Sequence, residues 1–339
     1  GRFWEHAAPR QYERFWCDSV RVVGQGLRQT FCDALVPRPA FRELFRRTAS
    51  VWGDENHANL ARSRVGIVGL GSVGAIVAEG LARMGLGRLV LIDHDHIQPH
   101  NLDRLLFADE TTVGALKVSV AAERLRAIAT AATTEIVPIP HSVVEEDGYR
   151  AALDCDVLFS CVDRPRARHV LNHFAYAHLI PVVDGGIAVR FKNGQFSGVD
   201  WQVQTAAPSR PCLACLGAYG LDDVSVEESG MLDDPSYLTG LPAEHRFKRN
   251  ENVFPFSANL ASLELLQFVA LATGIAGMPN VGVQRYRYVP GLVEAWDAKC
   301  GDSCAVQNLI AQGDRHFTLA GTDIGAQRTR ASQHVGSHA

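Results

Sequence analysis

Several things this 339-residue chain lacks narrow its class before any motif is read. No apolar run approaches the ~20 residues that cross a bilayer, so no membrane segment is expected. No basic-then-apolar leader opens the chain, so no secretory signal is expected. Positive charge is not in excess. Thirty-three Lys and Arg stand against 37 Asp and Glu, a net charge of −4, which excludes a surface built to coat nucleic acid. Internal repeats are absent. The first residue is Gly1 rather than Met, which suggests an excised or processed piece. Eight cysteines are present, but four fall in the short-spaced pairs Cys212-x-x-Cys215 and Cys300-x-x-x-Cys304. Paired spacing of this kind reads as a zinc site rather than a disulfide framework, which implies a cytoplasmic protein.

What is present is a nucleotide-binding unit. An apolar run at 65–68 leads into Gly69-x-Gly71-x-x-Gly74, an alanine-rich helical pattern follows, and a second apolar run ends at Asp93. Strand, glycine turn, helix, strand and acid in that order predict a βαβ fold with phosphates at the helix N-terminus and ribose on Asp93. Further alternation follows: helix at 115–129, strand at 135–139, strand at 157–161, helix at 166–178 and a strand at 181–183 ended by Asp184-Gly-Gly. It predicts an α/β, doubly wound, mostly parallel Rossmann-like sheet. Hairpin strands are expected at 189–203, around Lys192-Asn-Gly194. A polar crossing loop is expected at 217–256, an apolar helix at 259–273 and terminal antiparallel strands at 283–296. Residues 1–40 read as a connector, 41–320 as the domain and 321–339 as a disordered tail.

Polar residues then accumulate where such a sheet binds its ligands. Asp93 and Asp95, Asn101 and Arg104, Lys117, and Asp163 all fall at or just beyond strand C-termini. Hydride transfer needs neither Arg and Lys beside phosphates nor an acid after the fourth strand. Attack on a nucleoside triphosphate uses both: cations neutralise the phosphates, and a carboxylate holds Mg²⁺.

These residues resemble the ThiF/MoeB/ubiquitin-activating-enzyme superfamily over about residues 41–305. The similarity rests on GLGSVG, Asp93-x-Asp95, Asn101-Leu102-x-Arg104, Lys117, Cys161-Val162-Asp163 and the cysteine pairs. The resemblance implies an adenylyltransferase acting on ATP with Mg²⁺ and on the C-terminal glycine carboxylate of a ubiquitin-like or sulfur-carrier protein. It implies Asp93 on ribose, Asn101, Arg104 and Lys117 on the triphosphate, Asp163 on Mg²⁺, and Zn²⁺ on Cys212, Cys215, Cys300 and Cys304. It also implies a homodimer in which Arg46 or Arg47 reaches the partner's phosphates. Three neighbours depart from the family pattern: Asp103 replaces Asn, Leu105 replaces Gln, and Arg164 follows Asp163 in place of Asn. Extra negative charge at Asp103 is expected to weaken ATP binding.

Residues 14–53 resemble the connector of bacterial JAMM–ThiF fusions, although the metallopeptidase motif is absent and His94-x-His96 lacks its downstream partners. Residues 217–299 contain no cysteine, so no thioester on this chain is expected. Cys161 is expected to be a buried strand residue. Two alternatives stay open: a catalytically silent dimer-partner scaffold, and a NAD-dependent oxidoreductase, which would leave Arg104, Lys117, Asp163 and the cysteine pairs unexplained.

Overall fold

Two hairpins occupy the segment in which the sequence shows no period: β1 (Arg2–Ala8) with β2 (Gln11–Trp16), and β3 (Ser19–Val23) with β4 (Leu27–Phe31). The structure is a computed structural model that describes residues 2–8, 11–40, 42–192, 195–240, 252–274, 277–278, 280–315 and 318–336. The second hairpin is docked rather than loose. Leu27 is buried in the main core, and the Arg21 guanidinium donates to the Cys155 carbonyl at 2.8 Å. Two short helices follow, α1 (Arg46–Trp52) and α2 (Asp54–Arg62).

The central layer is then laid down by alternation. In order come β5 (Arg64–Val68), α3 (Ser72–Arg83), β6 (Arg88–Ile92), α4 (Lys117–Ile128), β7 (Glu135–Ile139), α5 (Glu146–Leu153), β8 (Val157–Ser160), α6 (Pro165–Ala177) and β9 (Val182–Lys192). Strands β7, β6, β5, β8 and β9 lie side by side and parallel. Successive side chains of a strand point to opposite faces. Leu89 and Leu91 therefore join one apolar cluster and Val90 and Ile92 the other. Helices α3 and α4 cover the first face, α5 and α6 the second, which is the doubly wound arrangement.

Asp184-Gly185-Gly186 does not end the strand, contrary to the sequence reading. β9 runs on through it for eleven residues and pairs antiparallel with β10 (Gln195–Ala206). Weak strand propensity hides this, but Gly185 is needed for space: a Cβ there would sit 2.2 Å from the Glu264 carboxylate. The expected turn residues Asn193 and Gly194 lie outside the described residues. After β10 come α7 (Leu221–Glu228), α8 (Pro235–Gly240), α9 (Phe254–Thr273), β11 (Val283–Arg287) and β12 (Leu292–Trp296). Among the described residues the sheet has eight strands in the order β12-β11-β10-β9-β8-β5-β6-β7, with β9 marking the change from parallel to antiparallel.

The expected crossing loop is partly helical, through α7 and α8, and its residues 241–251 lie outside the described residues. The tail expected to be disordered holds helix α10 (Ile324–Gly336). Helix α9 has 20 residues and is apolar enough to cross a membrane by length and composition, which corrects the sequence reading. Half of its apolar stretch is buried against the sheet, and Glu264 and Gln267 on it are fully buried, so it serves as a core helix.

Candidate functional site

A cleft of ≈ 970 Å³ opens at the C-terminal ends of β5, β6, β8 and β9. Its floor is the glycine turn after β5. Gly69 adopts φ +89°, and a Cβ on Gly74 would lie 1.9 Å from the Gly69 carbonyl oxygen. The turn therefore closes only without side chains at both positions. Gly71 caps α3 with no side-chain acceptor, which leaves the first amides of that helix directed toward the cleft. Ser72, between the second and third glycines, is reached by two side chains from the distal part of the chain. Asn252 donates its amide to the Ser72 hydroxyl at 2.9 Å, and the Ser257 hydroxyl lies 2.9 Å away.

Asp93 follows β6 and is buried. One carboxylate oxygen accepts the Leu70 N–H at 2.6 Å and the other the Asp95 N–H at 2.7 Å. Burial pushes this carboxyl above its ordinary range, opposed by nearby Lys117. Asp95 goes the other way. Burial alone would raise it, but Lys117 and His94 outweigh that and lower it. Lys117, the first residue of α4, sits 2.7 Å from Asp95 with its side chain 11% exposed. Burial works against its charge, yet Asp93, Asp95 and Asp163 together hold the ammonium on.

The opposite rim comes from the long loop after β6. A 3-10 turn at Pro99–Asn101 is closed by a capping box in which Gln98 N–H donates to Asn101 Oδ1 at 3.0 Å. That turn sets Asn101 and Arg104 on the cleft wall. The Arg104 guanidinium donates to Asp103 at 2.8 Å and to the His100 carbonyl. The departure at position 103 therefore holds the arginine directly. Asp163, past the end of β8, is exposed on the cleft wall. It is not a helix cap: α6 is capped by Arg164, with no side-chain cap bond.

Gly69, Gly71, Asp93, Asp95, Asn101, Arg104, Lys117 and Asp163 thus line one cleft, with Gly74 packed behind the turn. Ser72, Arg168, Glu227, Asn252, Asp323 and Thr329 also line it, and the sequence reading missed all six. Only Ser72 carried a local signal, its place inside the glycine fingerprint. Asp323 and Thr329 reach the cleft because the tail folds back. Gly321 N–H donates to the Val144 carbonyl at 2.7 Å, and Arg330 pairs with Glu145 at 3.0 Å. Arg46 and Arg47 are exposed and do not line the cleft.

Cys161 differs from its expectation. It is only partly buried and borders the cleft beside the glycine turn. Its thiol faces Glu264 at 3.6 Å, and burial together with that carboxyl pushes it well above its ordinary value. A thiolate nucleophile is therefore disfavoured there. Cys155 is fully buried beneath the sheet and is pushed up likewise.

The four paired cysteines meet away from the cleft. The sulfur atoms of Cys212, Cys215, Cys300 and Cys304 lie within 4.8 Å of one another. The Cys215 N–H donates to the Cys212 sulfur at 3.3 Å, and the Cys212 N–H and Gln307 amide to the Cys300 sulfur, each at 3.2 Å. Burial drives the Cys212 thiol far above its ordinary value, so a thiolate at that position needs a cation's charge. Four converging sulfurs with N–H donors suit a closed tetrahedral zinc site.

A doubly wound sheet with a glycine turn, a buried acid after β6 and cations at its C-terminal edge is the architecture of a nucleotide-binding α/β protein. Comparison with known proteins identifies which one. A model described as the ThiF family matches residues 45–280, and the chain belongs to that family. It is 33% identical to the molybdopterin-synthase adenylyltransferase of Escherichia coli (strain K12), over 51% of this chain and 66% of that protein. It is 31% identical to the SAMP-activating enzyme E1 of Haloferax volcanii, over 48% of this chain and 57% of that protein. It is also 31% identical to the tRNA threonylcarbamoyladenosine dehydratase of Escherichia coli (strain K12), over 51% and 63%. The chain thus spans between 57% and 66% of these relatives' lengths. A crystal structure of E. coli MccB with ATP shares the fold at a TM-score of 0.60 and 16% identity, covering 78% of this chain and 74% of that one.

Proposed function

We propose that this chain is an ATP-dependent adenylyltransferase that activates the C-terminal glycine carboxylate of a ubiquitin-like or sulfur-carrier protein. The observation that carries this reading is the convergence of Arg104, Lys117 and Asp163 with the uncapped α3 N-terminus on one cleft. Hydride transfer uses none of the three, and a silent scaffold has no need of them. Two of the curated relatives are named for the same kind of activation.

In this reading Asp93, already fixed by two backbone N–H groups, has lone pairs left to accept the ribose hydroxyls. The amides at the start of α3 and the side chains of Asn101, Arg104 and Lys117 hold the triphosphate. Asp163 would hold Mg²⁺, which when bound neutralises phosphate charge as a Lewis acid. A carboxylate oxygen of the carrier attacks the α-phosphorus. The bond from that phosphorus to the β-phosphate's bridging oxygen breaks, and pyrophosphate leaves with the electron pair. Arg104 and Lys117 stabilise the charge that builds on it. The product is an acyl-adenylate, which in this reading awaits an external nucleophile: residues 217–299 hold no cysteine, and Cys155 and Cys161 disfavour a thiolate. Zinc on the four cysteines is structural, with no open position for chemistry. The working unit is a cytoplasmic homodimer in which Arg46 or Arg47, exposed on one subunit, reaches the other's phosphates.

A binding comparison tests the nucleotide class. ATP·Mg²⁺ is expected to bind and to be weakened by Lys117→Ala. Tight NAD binding with no ATP binding would overturn the reading.

A further inference from the structure

Away from the cleft and the four cysteines, three more metal-ligating side chains meet at the C-terminal end of α6. His173 lies in the last turns of that helix and is 4% exposed. His178 is the residue immediately after it. Asp314 arrives from the chain that follows the cysteine pair at 300 and 304. Its Oδ1 is 2.9 Å from His178 Nε2 and 3.8 Å from His173 Nε2, and one ligand atom from each of the three falls within 4.8 Å of the others. A tetrahedral cation with bonds of about 2.0 Å needs ligands about 3.3 Å apart, which lies between those two spacings.

The meeting is built by backbone, not by chance proximity of long side chains. Ala311 N–H donates to the Tyr176 carbonyl at 3.0 Å and Gly313 N–H to the Ala177 carbonyl at 2.8 Å, clamping the segment to the helix end. Ala311 and Gly313 both adopt positive φ, +61° and +55°, and the chain bends there to deliver Asp314. For alanine that conformation is uncommon. The Tyr149 hydroxyl donates to Asp314 Oδ1 at 2.7 Å and orients the carboxylate, as an outer partner does for a ligand.

We propose that His173, His178 and Asp314 form a second cation site, of three protein ligands and one open position, for a divalent transition metal of the zinc class. Two imidazoles and one carboxylate are the donor set such cations take. The stretch between the two sites would be fixed at both ends, by Cys300 and Cys304 at its start and by Asp314 at its finish. The competing account is a plain hydrogen-bonded clamp from His178 and Tyr149 to Asp314, and it binds no cation.

Cobalt(II) separates the two. Full-length protein carrying its thiolate-bound zinc is titrated with cobalt(II) and followed by absorption and by metal analysis. One further saturable equivalent is expected, with weak visible bands and no sulfur-to-cobalt charge-transfer band. His178→Ala and Asp314→Asn should each weaken its uptake tenfold or more while the zinc content stays at one. Asp314→Asn keeps an oxygen for Tyr149 and is the deciding variant if His178→Ala does not fold. No saturable uptake by the unaltered protein, uptake bearing only sulfur charge-transfer bands, or uptake unchanged in Asp314→Asn would overturn the proposal.

Discussion

Arg104 is held by its own neighbour, and that contact is the most consequential single-residue feature of the cleft. Asp103 engages the guanidinium at 2.8 Å and is itself 67% exposed. Exposed pairs of this kind contribute up to about 1 kcal/mol, so Asp103→Asn should tighten ATP binding by up to roughly fivefold, read by calorimetric titration. Unchanged or weaker affinity would show that Asp103 does not compete with phosphate. Arg104→Ala and Asp163→Ala should each lower the adenylation rate by roughly 10²–10³ with an unchanged melting temperature. The glycines divide by what surrounds them. A Cβ at Gly74 meets backbone at 1.9 Å, whereas a Cβ at Gly71 meets nothing within 4 Å. Gly74→Ala should therefore destabilise by about 1–3 kcal/mol or more, while Gly71→Ala folds normally and loses nucleotide affinity. Thermal melts with and without ATP check both, and equal melting losses in the two variants would contradict the assignment.

At the scale of elements, the sequence was most readable where local pattern and tertiary environment agree. Strands β5, β6 and β8 stand out because they are buried on both faces, and α3, α4 and α6 because each carries apolar residues at helical spacing. The β1–β2 and β3–β4 hairpins were missed because they lack apolar alternation strong enough to mark a face. α10 was missed because its polar composition reads as tail, although ion pairs such as Arg330 with Glu145 anchor it. Among site residues, those within the glycine fingerprint or just past a strand were readable. Asn252, Glu227 and Thr329 were not, because chain folding alone brings them to the cleft.

Glu227 on α7 gives this scale a pH test. Burial raises its carboxyl from 4.5 to about 7, while the Arg166 N–H donates to it at 2.8 Å. The folded state therefore binds a proton that the unfolded chain releases. Its contribution to stability is full below about pH 4.5 and is lost as pH rises toward 7. Glu227→Gln mimics the protonated form at every pH. Its melting temperature should gain on the unaltered protein between pH 4.5 and 7 and then run parallel above that. A constant difference across the range would refute the raised value. The cysteine site gives a second test: Cys212→Ser should lower the melting temperature by roughly 5–10 °C, as for a loss of about 2–3 kcal/mol, while ATP affinity changes far less.

Across the whole molecule, the sheet supplies one edge where nucleotide chemistry can occur, and the cysteine cluster ties β10's exit to the chain beyond β12. Helix α7 through Glu227, and the chain at and just before α10 through Thr329 and Asp323, also line the cleft. The most direct measurement of the central claim is ATP–pyrophosphate exchange with labelled pyrophosphate, run with purified protein, Mg²⁺ and a panel of ubiquitin-like and sulfur-carrier proteins ending in glycine. Exchange is predicted only with a matching carrier, to vanish when that carrier's terminal glycine is removed, and to fall with Arg104→Ala. Exchange without any carrier, or none with any carrier in a protein that binds ATP, would contradict the account.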